Sequence, residues 1–71
     1  MTITDIIITT TNGNNVKYNK SDMADLENAY KNFIEMLEDP HYDYLRIVTD
    51  DGEIETILAI KHIVGMDVIR S

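Results

Sequence analysis

The chain contains no cysteine and no tryptophan, and it has only one proline and three glycines among its 71 residues. Without cysteine, disulfide bonds, thiol catalysis and Cys-based zinc sites are excluded, so the burial of apolar side chains must stabilise the fold alone. Gly13, Gly52 and Gly65 lie far apart in the sequence, which excludes a phosphate-binding P-loop and a dinucleotide-binding fingerprint. No apolar run approaches the roughly 20 residues of a membrane-spanning helix.

Positive charge is also scarce, with 6 Lys and Arg residues against 13 Asp and Glu residues and a net charge of −7. This balance argues against direct nucleic-acid binding, because neutralising phosphates requires clustered Lys and Arg. The first residues lack the basic region of a signal peptide, so we expect a cytoplasmic protein that does not bind membranes. The apolar content of 44% is typical of a folded chain, and the length predicts a single domain over residues 1–71.

The first third of the chain predicts a β-hairpin. β-Branched residues dominate Ile3–Thr10, and three successive isoleucines at 6–8 place apolar side chains on both faces, which is typical of a central strand. Asn12-Gly13 is a favoured turn sequence, and the alternation in Val16–Tyr18 predicts a short second strand.

The middle of the chain predicts one amphipathic helix. Ser21 is placed to act as its N-cap, with Asp22 and Asp25 at the positive end of the helix dipole. Apolar residues at three- and four-residue steps form one stripe: Met23, Leu26, Tyr30, Phe33, Ile34 and Leu37. Pro40 disfavours helical geometry at the residue before it, so the helix should span about seventeen residues and end between 37 and 39.

A second hairpin is predicted by two β-rich runs, Leu45–Thr49 and Glu53–Ile60, on either side of an Asp51-Gly52 turn of type I′. Its register gives a core face with three opposed pairs: Leu45 with Leu58, Ile47 with Thr56, and Thr49 with Ile54. The outer face then holds Arg46, Val48, Asp50, Glu53, Glu55 and Ile57. On this face Arg46 lies diagonal to Glu55 and should form an exposed ion pair.

A bend is expected at Lys61-His62, followed by a last strand over Ile63–Ile69 in which Gly65 and Asp67 face outward or lie at a sheet edge. The predicted order is therefore ββαβββ. This order indicates an α+β fold, a small two-layer domain with one amphipathic helix packed on a mostly antiparallel sheet.

Four residues are candidates for a protein contact: Tyr42, Tyr44, Val48 and Ile57. Tyrosine is favoured at interfaces because it buries a large ring and keeps a polar tip. Val48 and Ile57 fall, with Tyr44, on the outer face of the second hairpin, where an isolated two-layer domain would carry polar residues. The N-terminal hairpin, a second copy of the chain or another protein are three candidates to cover them.

Acidic residues form a second candidate surface: Glu27, Glu35, Glu38, Asp50, Asp51, Glu53 and Glu55. The simplest interpretation is a solvated face that keeps the protein soluble. The alternative interpretation is functional, because closely spaced carboxylates resemble the phosphates of a nucleic acid and would fit a basic groove.

Metal-dependent chemistry has weaker support in the sequence. His41 and His62 have acidic residues near them, namely Asp39, Asp43 and Asp67, but their spacing matches no zinc motif. The carboxylates from Asp50 to Glu55 lack the ligand spacing of a calcium loop, and neither of the two serines belongs to a nucleophile elbow. We therefore expect no catalytic residue, no metal and no cofactor.

These patterns predict a small, acidic, non-enzymatic interaction or regulatory module that has a protein partner or associates with itself. One alternative is an acidic nucleic-acid mimic that inhibits a host nucleic-acid-binding protein, as a phage-encoded anti-defence or anti-repair protein would. A weaker alternative is a metal-dependent enzyme that uses the His and Asp residues.

Overall fold

The computed structural model describes residues 1–71, which form five strands, one α-helix and one short 3-10 turn. The elements in chain order are β1 (Ile3–Thr10), β2 (Asn15–Asn19), α1 (Leu26–Glu38), β3 (Tyr44–Val48), β4 (Glu55–Ala59), the 3-10 turn (Ile60–His62) and β5 (Ile63–Arg70). All strand pairs are antiparallel. The α+β class and the ββαβββ order are therefore those predicted from the sequence.

β1 lies at the centre of a three-stranded sheet with the order β2-β1-β5, which confirms its predicted central position. Its register with both neighbours places six apolar residues on the inner face of the sheet: Ile6, Ile8, Val16, Tyr18, Met66 and Val68. On the opposite face Ile7 is paired with Lys17 on one side and Asp67 on the other. One face of this sheet is thus apolar and the other is largely polar.

β5 reaches this sheet through the 3-10 turn at Ile60–His62, which confirms the predicted bend. The amide of Thr11 donates to the carbonyl oxygen of His62 over 2.8 Å and joins the turn to the end of β1. β5 is an edge strand, and Gly65 and Asp67 are exposed on it as predicted.

β3 and β4 form a separate two-stranded sheet with the predicted register. Leu45 is opposite Leu58 and Ile47 is opposite Thr56. Leu45, Ile47 and Thr49 are all buried, so the predicted core face of β3 is confirmed. The ion pair is confirmed as well, because Arg46 Nε lies 2.8 Å from Glu55 Oε2.

The turn of this hairpin differs from the predicted type I′ turn, which needs positive φ at both Asp51 and Gly52. Only Gly52 has positive φ, at 74°. The Gly52 amide donates to the Thr49 carbonyl, and the Thr49 amide donates to the Ile54 carbonyl, so the loop is four residues long. Asp51 keeps a negative φ because its carboxylate accepts the Glu53 amide in a local turn of its own.

The prediction that Ile54 belongs to the core face is wrong. Ile54 lies opposite Thr49, whose amide donates to the Ile54 carbonyl oxygen, but the Ile54 side chain is 59% exposed.

The start of the helix is a further correction. α1 begins at Leu26, and the Asp25 side chain caps it by accepting the Asn28 amide over 3.0 Å. Ser21 is not the N-cap, and the helix has 13 residues instead of seventeen. The residues predicted to form the first turn of the helix belong instead to a separate turn, in which the Asn19 carbonyl accepts the amides of Asp22 and Met23.

The core lies between α1 and the two sheets, where α1 contacts β1 and β3. Its buried apolar residues are Ile3, Ile6, Ile8, Tyr18, Met23, Leu26, Phe33, Leu45 and Ile47. From the predicted helix stripe, Met23, Leu26 and Phe33 are buried, and Tyr30 is half-buried against this cluster. Complete burial of a side chain such as Phe33 or Leu26 contributes about 1.5–3 kcal/mol.

Candidate functional site

The outer side of the β3–β4 hairpin carries three exposed apolar side chains, Tyr44, Val48 and Ile57, which we call the hairpin face. Their exposed fractions are 60%, 42% and 57%. They share one side because Arg46 is paired with Ile57, and because side chains of alternate residues along β3 point the same way. The ion pair between Arg46 and Glu55 crosses this face, so the face is apolar with an internally neutralised charge.

Nothing in the chain covers the hairpin face. The N-terminal hairpin belongs to the other sheet, so the prediction that it could cover these residues is wrong. The two sheets bury their apolar sides towards α1 and the common core, which leaves the reverse side of β3 and β4 in solvent.

Tyr42, the fourth predicted contact residue, lies in the loop between α1 and β3, where its amide donates to the Asp39 carbonyl over 3.2 Å. Its side chain is exposed and borders a hollow of about 370 Å³ beside Tyr44 and Ile60. Tyr42 also borders a larger depression on its other side. The structure therefore places Tyr42 next to the hairpin face without making it part of that face.

The larger depression is a groove of about 690 Å³ between α1 and β3, here called the α1–β3 groove. Its apolar lining consists of Met23, Ala24, Ala29, Phe33, Met36, Tyr42, Ile47 and Val48. Its polar lining consists of Asp25, Asn28, Asn32, Glu35, Asp39, Arg46 and Asp50. Four carboxylates thus surround an apolar floor, and Arg46 is the one basic residue in the lining.

Not all seven carboxylates of the predicted acidic surface are without a hydrogen-bond partner in the chain. Four of them accept hydrogen bonds within the chain: Glu27, Asp50, Asp51 and Glu55. Glu27 receives both the Ile3 amide and the Arg70 guanidinium, each over 3.2 Å. The carboxylates of Glu35, Glu38 and Glu53 accept no hydrogen bond within the chain, and these three residues are exposed.

Asp51 is the one residue whose pKa is clearly shifted from its usual value. A hydrogen bond from the Thr49 hydroxyl at 2.6 Å, followed by one from the Glu53 amide at 2.9 Å, lowers the pKa of Asp51 below its usual 3.8. Both donors stabilise the ionised form. This perturbation belongs to the turn geometry and involves no groove residue.

The sequence placed Glu35 and Asp50 in one acidic surface, and in the structure both line the α1–β3 groove, Glu35 towards the C-terminal end of α1 and Asp50 towards its N-terminal end. The structure adds Asp25 and Asp39, which lie at the two ends of α1. The groove itself was missed, because no local pattern reports that α1 and β3 stand side by side.

The two histidines lie apart and each has a single polar neighbour. His41 Nδ1 is 3.0 Å from Asp39 Oδ1, and His62 Nδ1 is 3.5 Å from the Thr11 hydroxyl. No group of three or more His, Asp or Glu side chains is arranged to hold a metal ion.

The α-helix is too short and too polar to cross a membrane. Comparisons with family models, with curated proteins and with solved structures found no match to this chain. The hairpin face and the α1–β3 groove are therefore the features from which a function is inferred.

Proposed function

We propose that the protein is a non-enzymatic interaction or regulatory module that attaches to another protein through its hairpin face. The observation that carries this proposal is the exposure of Tyr44 and Ile57 on a sheet face that no other part of the chain covers. Exposed apolar side chains clustered on one face are typical of protein contact sites, and a buried tyrosine is often among the strongest contributors to binding.

The net charge of the molecule favours a different protein, and not a second copy of this chain, as the binding partner. Each copy carries a net charge of −7, so two copies repel each other at low ionic strength. The only ion pair on the hairpin face is satisfied within the chain, so the face offers a second copy no free positive charge.

A nucleic-acid mimic is the competing proposal, and its support is weaker. It requires carboxylates that are free of positive partners, whereas Glu27 is paired with Arg70 and Glu55 is paired with Arg46. A metal-dependent enzyme has less support still, since His41 and His62 have no shared set of ligands around them.

The test compares proteins recovered from a lysate of the source organism by the tagged wild type and by two charged variants, Tyr44→Asp and Ile57→Asp. Val64→Asp is the matched control, because Val64 is 63% exposed but lies on β5, away from the hairpin face. We expect the control to recover the same protein as the wild type and both hairpin-face variants to lose it.

Recovery that persists in Tyr44→Asp and Ile57→Asp would contradict the proposal. Recovery that is instead lost on combined replacement of Glu35, Glu38 and Glu53 by glutamine, and that DNA displaces, would favour the nucleic-acid mimic. Light scattering of the purified wild type separately tests self-association, and a stable dimer broken by Ile57→Asp would assign the face to a second copy.

A further inference from the structure

One edge of β3 is unpaired. β3 is bonded to β4 alone, and at the two ends of this ladder the Thr49 amide donates to Ile54 and the Ile60 amide donates to Asp43. Because backbone groups of alternate residues in an antiparallel strand point to opposite edges, those of Leu45 and Ile47 also point towards β4.

The backbone groups of Arg46 and Val48 therefore point away from β4. Neither residue makes a backbone hydrogen bond outside the ladder, and neither amide is bonded to a side chain. An edge of this kind presents free N–H and C=O groups to which another extended chain can pair.

The α1–β3 groove runs along this free edge. The side chains of Arg46 and Val48 lie on the outer side of β3 and that of Ile47 lies on the core side, yet all three line the groove. A groove lined by side chains from both faces of a strand must run along an edge of that strand. Because β4 occupies one edge of β3, the groove runs along the other, unpaired edge. The opposite wall is the helix, with Ala29, Phe33 and Met36 among its apolar residues.

The dimensions suit a short extended peptide. The volume of about 690 Å³ falls within the range of about 300–1,000 Å³ that is usual for ligand pockets. The five residues of β3 extend roughly 16 Å, which matches about five residues of an added strand.

The charges at the two ends of the groove are negative. Asp39, at the C-terminal end of α1, and the nearby Glu35 lie towards the start of β3, whereas Asp25 and Asp50 lie at the opposite end. Asp25, Asp39 and Asp50 are each held by a hydrogen bond from a backbone amide, so their carboxylates are already ordered. The one cation in the lining, Arg46, is neutralised by Glu55.

We propose that the α1–β3 groove binds an extended basic segment of another protein, which adds to β3 as a further strand. The peptide that matches this groove has basic residues at its first and fifth positions and an apolar residue at its third position. These three side chains lie on one face because alternate side chains of a strand point the same way. The apolar side chain contacts the helix wall, and the basic ones contact the terminal carboxylates.

The occupant is not a second copy of this chain. The six basic residues stand at 17, 20, 31, 46, 61 and 70, so no two of them are four positions apart. The inference rests on the proposed function in that it treats the protein as a binding module, but it assigns a second surface and can fail separately.

The probe is the peptide Lys-Thr-Val-Thr-Lys, acetylated and amidated, titrated into the isotope-labelled full chain and followed by NMR. We expect the Arg46 and Val48 amides to become protected from hydrogen exchange, while Leu45 and Ile47 keep the protection they already have. Two further probes carry an N-methyl group, one on the valine nitrogen and one on the nitrogen of the next threonine. Because alternate amides of the peptide face β3, one methylated probe should bind and the other should not.

Glu35→Lys should weaken binding of the unmodified probe by about tenfold, because it reverses a carboxylate in the groove. Glu38→Lys is the matched control, since it makes the same charge change on the same helix outside the groove and should have a much smaller effect.

Equal weakening by both variants, equal binding of both methylated probes, or no binding at millimolar peptide would each overturn the inference. Binding that is lost in Ile57→Asp but retained in Glu35→Lys would overturn it too, and would leave the proposed role of the hairpin face standing.

Discussion

The Tyr18 side chain is buried, but its hydroxyl group is not hydrogen-bonded. The side chain is only 5% exposed and lies opposite Ile6 in the core. A buried polar group left without a partner costs about 1–3 kcal/mol. The ring stabilises the core while the hydroxyl group destabilises it.

Tyr18→Phe should therefore leave the fold intact and raise the free energy of unfolding, by up to about 1 kcal/mol. The measurement is the urea midpoint of the variant against the wild type, followed by circular dichroism. Tyr30→Phe is the control, because Tyr30 is half-buried and its ring lies under the Arg70 guanidinium at 5.9 Å. A clear loss of stability in Tyr18→Phe would contradict the prediction.

Asp51 makes the stability depend on pH. Hydrogen bonds from Thr49 and then Glu53 lower the pKa of Asp51 in the folded state below 3.8, so its carboxylate favours folding above that pH. This contribution is lost as the pH falls through the folded-state pKa.

Asp51→Asn should accordingly be less stable than the wild type at neutral pH, and the difference should vanish in acid. Urea midpoints between about pH 7 and about pH 2 measure this difference. Glu53→Gln controls for the loss of one charge in the same loop, since the Glu53 side chain accepts no hydrogen bond. A difference between Asp51→Asn and wild type that does not change with pH would refute the assignment.

At the scale of elements, the position at which α1 begins follows from a contact between distant parts of the chain. The Asp50 carboxylate accepts the Ala24 amide over 2.7 Å, and the Asp22 carbonyl accepts the Asp50 amide over 2.9 Å. These bonds hold the segment before α1 against the hairpin loop. Ser21 lies in the preceding turn, and Asp25 is left to cap the helix.

Two alanine variants test this assignment of the cap. Asp25→Ala should lower the free energy of unfolding by about 1 kcal/mol, because the Asn28 amide loses its acceptor. Ser21→Ala should change it by less than about 0.5 kcal/mol, as expected for an exposed side chain outside the helix. Thermal or urea unfolding of both variants provides the comparison, and a larger effect for Ser21→Ala would favour a longer helix.

The free edge of β3 could pair non-specifically with strands of other molecules. Short edge strands and nearby charges both discourage association between sheet edges. β3 has five residues, and the groove along its edge carries four carboxylates, so a second negatively charged copy is repelled. The same charges would attract a basic segment.

At the scale of the whole molecule, negative charge dominates. Only two ion pairs join a carboxylate to a lysine or arginine, Arg46 with Glu55 and Arg70 with Glu27. The molecule measures 28 × 25 × 23 Å, so at about 0.01 M salt, where the screening length is ~30 Å, all its charges interact.

Added NaCl should therefore stabilise the fold between about 0.01 M and about 0.1 M, since screening weakens the repulsion among the excess carboxylates. Urea midpoints at several salt concentrations measure the effect. Glu38→Lys, which reduces the net negative charge by two, should show a shallower dependence. Stability that falls with salt would mean that the attractive pairs outweigh the repulsion.

The sequence alone determined the features that depend on neighbouring residues. The three isoleucines at 6–8 identified β1 as a central strand, and the runs Leu45–Thr49 and Glu53–Ile60, counted outward from Asp51-Gly52, gave the register of the second hairpin. The helix stripe identified Phe33 as buried. Periodicity reports these features because the faces of a strand or a helix are set by local backbone geometry.

Only the tertiary structure decided the features that join distant segments. The choice of Asp25 over Ser21 as the cap depended on Asp50, the division into two sheets depended on β5 returning to β1, and the uncovered hairpin face followed from that division. The α1–β3 groove likewise required a helix and a strand edge to stand side by side. Hydrophobic patterns specify which face of an element is buried but not which element buries it, because apolar contact is not directional.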